Sequence, residues 1–256
     1  MRFAYLGSGS KGNAALIHAG NTLLMLDCGF TVKETLYRLA RSNVNPGDVT
    51  AIVVTHEHSD HVSGVGVVAR KLGIPVWMTA GTARGAAKRL GELPTQNLFD
   101  PHSAFSIGDI EIEPFPVPHD AMEPAQFVFS SGDRRLGILT DVGSTTSHIE
   151  KILSNCDALA LECNHDLKML QRGPYPQSLK DRVAGRLGHL SNDAAAELLG
   201  RIDQSRLQQV VAVHMSETNN SPSLAQAALA SAMGYGSDRI IVADQEEGLE
   251  WCNIEA

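Results

Sequence analysis

Short apolar runs broken by glycine- and proline-rich turns dominate the N-terminal half of the chain. Residues 2–6 read as a strand that runs into Gly7-Ser8-Gly9-Ser10-Lys11-Gly12-Asn13, a turn too glycine-rich to be helical. Apolar stretches at 14–18 and 22–27 flank Ala19-Gly20-Asn21 and predict a hairpin. Thr31 is placed to cap a helix over 32–42 that buries Leu36 and Leu39. After the turn Asn45-Pro46-Gly47-Asp48 comes a strand at 51–54, then a helix over 62–72, a strand at 75–78 and a helix over 81–90. Further strands are expected as a pair within 107–117 and as a hairpin of 126–129 with 136–140. A helix over 146–153 and a strand at 158–162 follow, and 163–189 has no regular period. Ser191 then caps a helix over 192–199, and 207–213 forms a strand. A helix at 223–233 and strands at 239–243 and 248–252 complete the pattern.

Hairpins come first and helix–strand alternation later, with no internal repeat or low-complexity linker. This predicts an α/β (α+β) fold in which two mixed β-sheets lie back to back with helices outside, as one domain spanning 1–256. Neither a signal-peptide pattern at the N-terminus nor a long apolar span is present, so a cytoplasmic protein without membrane contact is the expectation. Cys28, Cys156, Cys163 and Cys252 include no C-x-x-C pair and read as small apolar residues. A formal net charge of −8 argues against a general polyanion binder, yet leaves room for a local basic patch.

The chemistry concentrates in Thr55-His56-Glu57-His58-Ser59-Asp60-His61, directly after an apolar strand. Residues i and i+2 of an extended segment point the same way, so His56 and His58 leave the strand together. A following helix brings Asp60 and His61 round from another direction. Imidazoles and a carboxylate at this spacing form two neighbouring half-sites for divalent metal. Asp27, His119, Asp141 and His214 likewise stand where predicted strands end, which is a rigid setting for ligands.

The order Asp27, H-E-H-S-D-H, His119, Asp141, His214 resembles the five motifs of the metallo-β-lactamase fold superfamily across nearly the whole chain. The resemblance implies a four-layer αββα sandwich and two divalent ions, with zinc favoured and manganese or iron as alternatives. By it, His56, His58 and His119 hold one ion and Asp60, His61 and His214 the other. Asp141 would bridge them, and Asp27 would accept a hydrogen bond from a ligand. Gly188-His189-Leu190-Ser191 and His214-Met215-Ser216 are similar to the ends of tRNA 3′-processing endonucleases and cyclic phosphodiesterases of this fold. The segments S-G-S-K-G-N, Glu162-Cys163-Asn164-His165-Asp166, G-P-Y-P and H-M-S-E-T-N-N resemble the YycJ/WalJ-type hydrolases. Those relatives imply a 5′-to-3′ exonuclease acting on DNA.

On this reading a hydroxide shared by the ions attacks phosphorus, Asp60 doubles as ligand and proton acceptor, and His189 bonds a phosphoryl oxygen or protonates the leaving oxygen. A capping or packing role for His189 is the plainer alternative. Ser10, Lys11 and Asn13 belong to a turn able to bind phosphate. His165 either contacts substrate or ties its loop down. Lys168, Arg172, Lys180, Arg182 and Arg186 make 165–189 a basic segment on an acidic protein, suited to a nucleic-acid backbone. Competing readings are a small cyclic or nucleotide phosphodiester as substrate, a thioester, lactone or lactam hydrolase, and a metal-dependent binding module. Oligomeric state stays open, with a homodimer one option.

Overall fold

In the computed structural model, which describes residues 1–234 and 236–255, fourteen strands form two sheets of seven. Numbered along the chain, the first sheet runs in the order β14 (Leu249–Asn253), β1 (Arg2–Gly7), β2 (Ala14–Ala19), β3 (Thr22–Leu26), β4 (Ala51–Val53), β5 (Val76–Met78), β6 (Gln96–Leu98). The second runs β13 (Ile241–Val242), β12 (Gln209–Val213), β11 (Ala158–Glu162), β10 (Arg134–Leu139), β9 (Ala125–Ser131), β8 (Ile110–Pro116), β7 (Phe105–Ile107). The two repeat one plan: β14-β1-β2-β3 and β7-β8-β9-β10 pair antiparallel, whereas β3 to β6 and β10 to β13 pair parallel.

Side-chain alternation explains why both sheets are covered on each face. In β3, Leu24 and Leu26 enter the core between the sheets, while Leu23 and Met25 turn outward. In β11, Ala160 faces the other sheet and Leu159 and Leu161 face away. A strand buried on both faces reads as an unbroken apolar run, which is what L-L-M-L in β3 and A-L-A-L in β11 are. Phe3, Phe127, Phe129, Ile110 and Val211 fill the space between the sheets. Helices α1 (Val32–Arg41), α3 (Val65–Leu72) and α4 (Ala80–Leu90) cover the first sheet. Helices α5 (Ser147–Leu153), α8 (Asn192–Arg201) and α9 (Pro222–Met233) cover the second, completing an αββα sandwich. Thr31 and Ser191 cap α1 and α8 by accepting from the backbone N–H groups of Glu34 and Ala194.

Three spans differ from the sequence expectation. The helix expected over 62–72 is two pieces, α2 (Ser59–Val62) and α3, with Ser63-Gly64 between them. Gly64 packs so closely on the Asp27–Phe30 turn that an added Cβ would lie 2.0 Å from the Phe30 carbonyl oxygen. The stretch 163–189 contains two short helices, α6 (Leu167–Arg172), capped by Asp166, and α7 (Gln177–Val183). Edge strand β6 lacks apolar alternation because it is the last strand of its sheet and mostly exposed.

Candidate metal centre

Asp27, Asp141 and His214 each stand just beyond the end of a strand, at φ of 59°, 53° and 53°. Left-handed backbone is uncommon for a residue with a Cβ and survives only where surrounding contacts hold it. Here it re-aims each side chain from the sheet into a common mouth. With the 55–61 loop and the His119 loop they form two adjoining groups, His56/His58/His119 and Asp60/His61/Asp141/His214.

In the first group every imidazole has one nitrogen committed to the protein. The Thr55 hydroxyl donates to Asp27 Oδ2 at 2.8 Å, so it accepts from His56 Nδ1 at 2.9 Å. His56 Nε2 is then left buried without a hydrogen-bond partner among the described residues. His58 Nε2 donates to the Asp120 carbonyl at 3.2 Å, and His119 Nδ1 to the Gly188 carbonyl at 3.0 Å. These tautomers point His58 Nδ1 and His119 Nε2 at each other across 3.2 Å, lone pair to lone pair. Burial, aided by repulsion from His61, holds His56 well below the usual histidine range; burial likewise lowers His119. Three imidazoles with converging free nitrogens fit a cation.

The second group sets two carboxylates against two imidazoles. His61 Nδ1 donates to Asp27 Oδ2 at 2.8 Å, which leaves Nε2 facing Asp141 Oδ2 at 3.1 Å and Asp60 Oδ2 at 3.4 Å. His214 Nε2 lies 3.4 Å from Asp60 Oδ2 and 3.6 Å from Asp141 Oδ1. Asp141 Oδ1 is also 3.8 Å from His119 Nε2, so one carboxylate looks into both groups. Burial opposes ionisation of Asp60, but His61 and His214 outweigh it and hold the acid well below the usual carboxylate range. Burial similarly opposes charge on His214, yet Asp141, Asp60 and Glu162 push its pKa to about 10. These carboxylates demand positive charge, which protons on His61 and His214 supply in the metal-free chain.

Glu162, at the end of β11, was not singled out as a site residue from the sequence. Its Oε1 accepts from His189 Nδ1 at 2.8 Å and His214 Nδ1 at 3.0 Å. Its Oε2 accepts from the backbone of Val142 at 3.0 Å and Leu190 at 3.1 Å. Burial would raise this acid, but the two histidines and the hydrogen bonds bring it to about 2. One carboxylate therefore orients both His189 and His214. The available signal was its position: an acid closing an otherwise apolar strand, as with Asp27 and Asp141.

The remaining sequence candidates have mixed settings. Asn13 is buried and turned inward; its side chain bonds Gly9 and reaches His61 Nε2 at 3.2 Å, and its backbone N–H donates to the Asp60 carbonyl. Ser10 is exposed, and the Lys11 ammonium pairs with Glu217 at 2.8 Å. Arg182 pairs with Asp120 at 2.7 Å on the rim of the centre, and Lys180 Nζ donates to the Gln171 carbonyl. His165 is buried, both its ring nitrogens lack a partner among the described residues, and burial brings its pKa to about 4.

Comparison with known proteins agrees with this geometry. Residues 22–215 match the beta-lactamase superfamily domain. The chain belongs to the β-lactamase superfamily. Within it, 243 residues are 35% identical to the exodeoxyribonuclease YycJ of Bacillus anthracis, covering 92% of this chain and 91% of that protein. A further 37% identity over 228 residues links it to the exodeoxyribonuclease WalJ of Streptococcus pneumoniae, at 88% and 85% coverage. The crystal structure of the metallo-β-lactamase fold protein YhfI from Bacillus subtilis superimposes with a TM-score of 0.75 at 15% identity over 98% of both chains. The chain is thus a metallo-β-lactamase fold hydrolase of this superfamily, with His/Asp clusters able to hold metal. Among its described residues no helix is long and apolar enough to cross a membrane.

Proposed function

We propose that the chain hydrolyses phosphodiester bonds of DNA from an end, in the 5′-to-3′ sense, at a pair of divalent ions. The observation that carries the two-ion reading is Asp141, whose oxygens face His61 on one side and His119 on the other. His56, His58 and His119 would hold one ion, Asp60, His61 and His214 the other, and Asp141 both; Asp27 fixes the tautomer of His61. Bound divalent ions supply Lewis acidity to phosphoryl oxygens and acidify coordinated water.

The chain's own groups do the rest. His189, one-fifth exposed at the mouth, donates its Nδ1–H to Glu162 Oε1, which leaves Nε2 available to substrate. Burial disfavours its charge, but Glu162 outweighs that and raises its pKa, which keeps a proton on Nε2 for a phosphoryl or leaving oxygen. Lys168, Arg172, Arg182 and Arg186 lie exposed on α6, α7 and the turn leading to His189, where they can track a phosphate backbone. The relatives named exodeoxyribonucleases support DNA as the polymer.

The test is a side-by-side panel with zinc or manganese: end-labelled duplex and single-stranded DNA, covalently closed circular DNA, RNA, a chromogenic phosphodiester and nitrocefin. Release of nucleotides from 5′ ends, with circles untouched, is the expected result. The logarithm of the rate should fall with the logarithm of salt by about 0.9 for each phosphate contacted. Turnover confined to the small phosphodiester, with no salt dependence, would overturn the nucleic-acid assignment; nitrocefin hydrolysis alone would overturn the phosphodiester chemistry.

A further inference from the structure

Between the sheets, on the inner side of the second residue group, lies a cavity of about 10 Å³ lined by Tyr5, Ser8, Asn13, Asp27 and Thr140 among aliphatic side chains. That volume admits one water molecule. The Tyr5 hydroxyl is buried in the inter-sheet core and has no hydrogen-bond partner among the described residues, a costly state for a phenol. Burial and the nearby Asp27 carboxylate push its pKa far above the usual range, so it is a neutral donor.

Of the other four polar side chains, Asn13 bonds Gly9 through both ends of its amide, and the remaining three each hold a different site residue. The Ser8 hydroxyl accepts from the His214 backbone N–H at 2.8 Å, Asp27 Oδ2 accepts from His61 Nδ1 at 2.8 Å, and the Thr140 hydroxyl donates to Asp141 Oδ2 at 2.8 Å. Counting what these bonds leave unused, Tyr5 and Ser8 each retain a proton to give. Thr140 Oγ1 retains a lone pair, and so does Asp27 Oδ1, which accepts only from the Thr55 backbone at 2.8 Å. Two donors and two acceptors around a one-molecule space are the complement of water.

We infer that this cavity is a structural water site, and that Tyr5, through the water, is a positioning residue for the Asp60/His61/His214 group. The water would tie together Ser8, Asp27 and Thr140, the groups whose hydrogen bonds hold His214, His61 and Asp141. The inference rests on the two-ion reading above, and its test separates the two. A high-resolution crystal structure of the zinc-loaded chain should show an ordered water within hydrogen-bonding distance of Tyr5 Oη. Zinc titration against a chromogenic chelator should show Tyr5→Phe, which keeps the ring in place, weakening the Asp60/His61/His214 site about tenfold, the order expected when an outer partner of a ligand is lost. Affinity at the His56/His58/His119 site should stay unchanged, whereas a general loss of stability would weaken both.

A dry cavity in that crystal, or equal zinc affinities for Tyr5→Phe and the parent, overturns the inference and leaves the two-ion reading intact. A parent chain that binds no zinc at Asp60/His61/His214 removes both. The crystal structure of the parent decides the point even if the variant fails to fold.

Discussion

Replacing Glu162 by glutamine changes almost no volume but inverts half of the side chain's hydrogen-bonding character. The carboxylate accepts four bonds, two from histidine Nδ1 atoms on Oε1 and two from backbone N–H groups on Oε2. An amide has one accepting end. If its NH₂ faces the histidines, two Nδ1–H donors meet a donor, and His214 relieves the clash by giving up its Nδ1 proton and keeping the one on Nε2, the atom that faces Asp60. If the NH₂ faces Val142 and Leu190, two buried backbone donors lose their acceptor. Each abandoned donor costs about 1–3 kcal/mol, so a destabilisation on the order of 3 kcal/mol is expected. Zinc affinity at the Asp60/His61/His214 group should fall about 10- to 100-fold. Urea unfolding of the metal-free chain reads the first figure, and chelator competition the second. A Glu162→Gln protein with parental midpoint and parental zinc affinity would refute the claim that this carboxylate holds both rings.

His189→Ala should retain both ions by metal analysis yet lose about 10²- to 10⁴-fold in turnover, as for loss of a general acid; near-parental turnover removes it from the chemistry. His165 has a pKa of about 4 in the fold against 6.5 unfolded, so below pH 6.5 the unfolded chain takes up a proton that the folded chain refuses. Stability should therefore fall as pH drops from 6.5 to 4, by on the order of 3 kcal/mol, and His165→Gln should abolish that part of the slope in urea titrations of the chelated protein. A Cβ at position 29 would lie 1.9 Å from the Asp60 carbonyl oxygen, a backbone atom that cannot swing aside. Gly29→Ala should thus cost about 1–3 kcal/mol by calorimetry and lower zinc occupancy beside Asp60; an unchanged melting profile with full zinc would show that the loop yields freely.

Much of the centre was legible because its chemistry is compressed: His56, His58, Asp60 and His61 fall within one turn after a buried strand, and Asp27, Asp141 and His214 follow apolar runs. The two sheets showed in the switch from hairpins to helix–strand alternation. What stayed hidden depends on contacts between distant segments. Nothing local says that Glu162 serves two histidines 27 and 52 positions away. Asn13 lies in a turn rich in polar residues, and only the close packing of that turn on the Asp60 backbone directs its side chain inward. Helices α6 and α7 are too short to impose a period, and β6 carries polar residues because it borders solvent.

The halves of the molecule have similar strand plans, and each ligand group draws from both. His56, His58, Asp60 and His61 come from the first sheet's side; His119, Asp141 and His214 from the second's. An ion held in either group would consequently be a rivet through the seam as well as a reagent. A sideways slip of one sheet by a fraction of an ångström would spoil coordination before it disturbed the greasy filling between them. Catalytic alignment in this architecture is therefore a gauge of how tightly the seam is clenched.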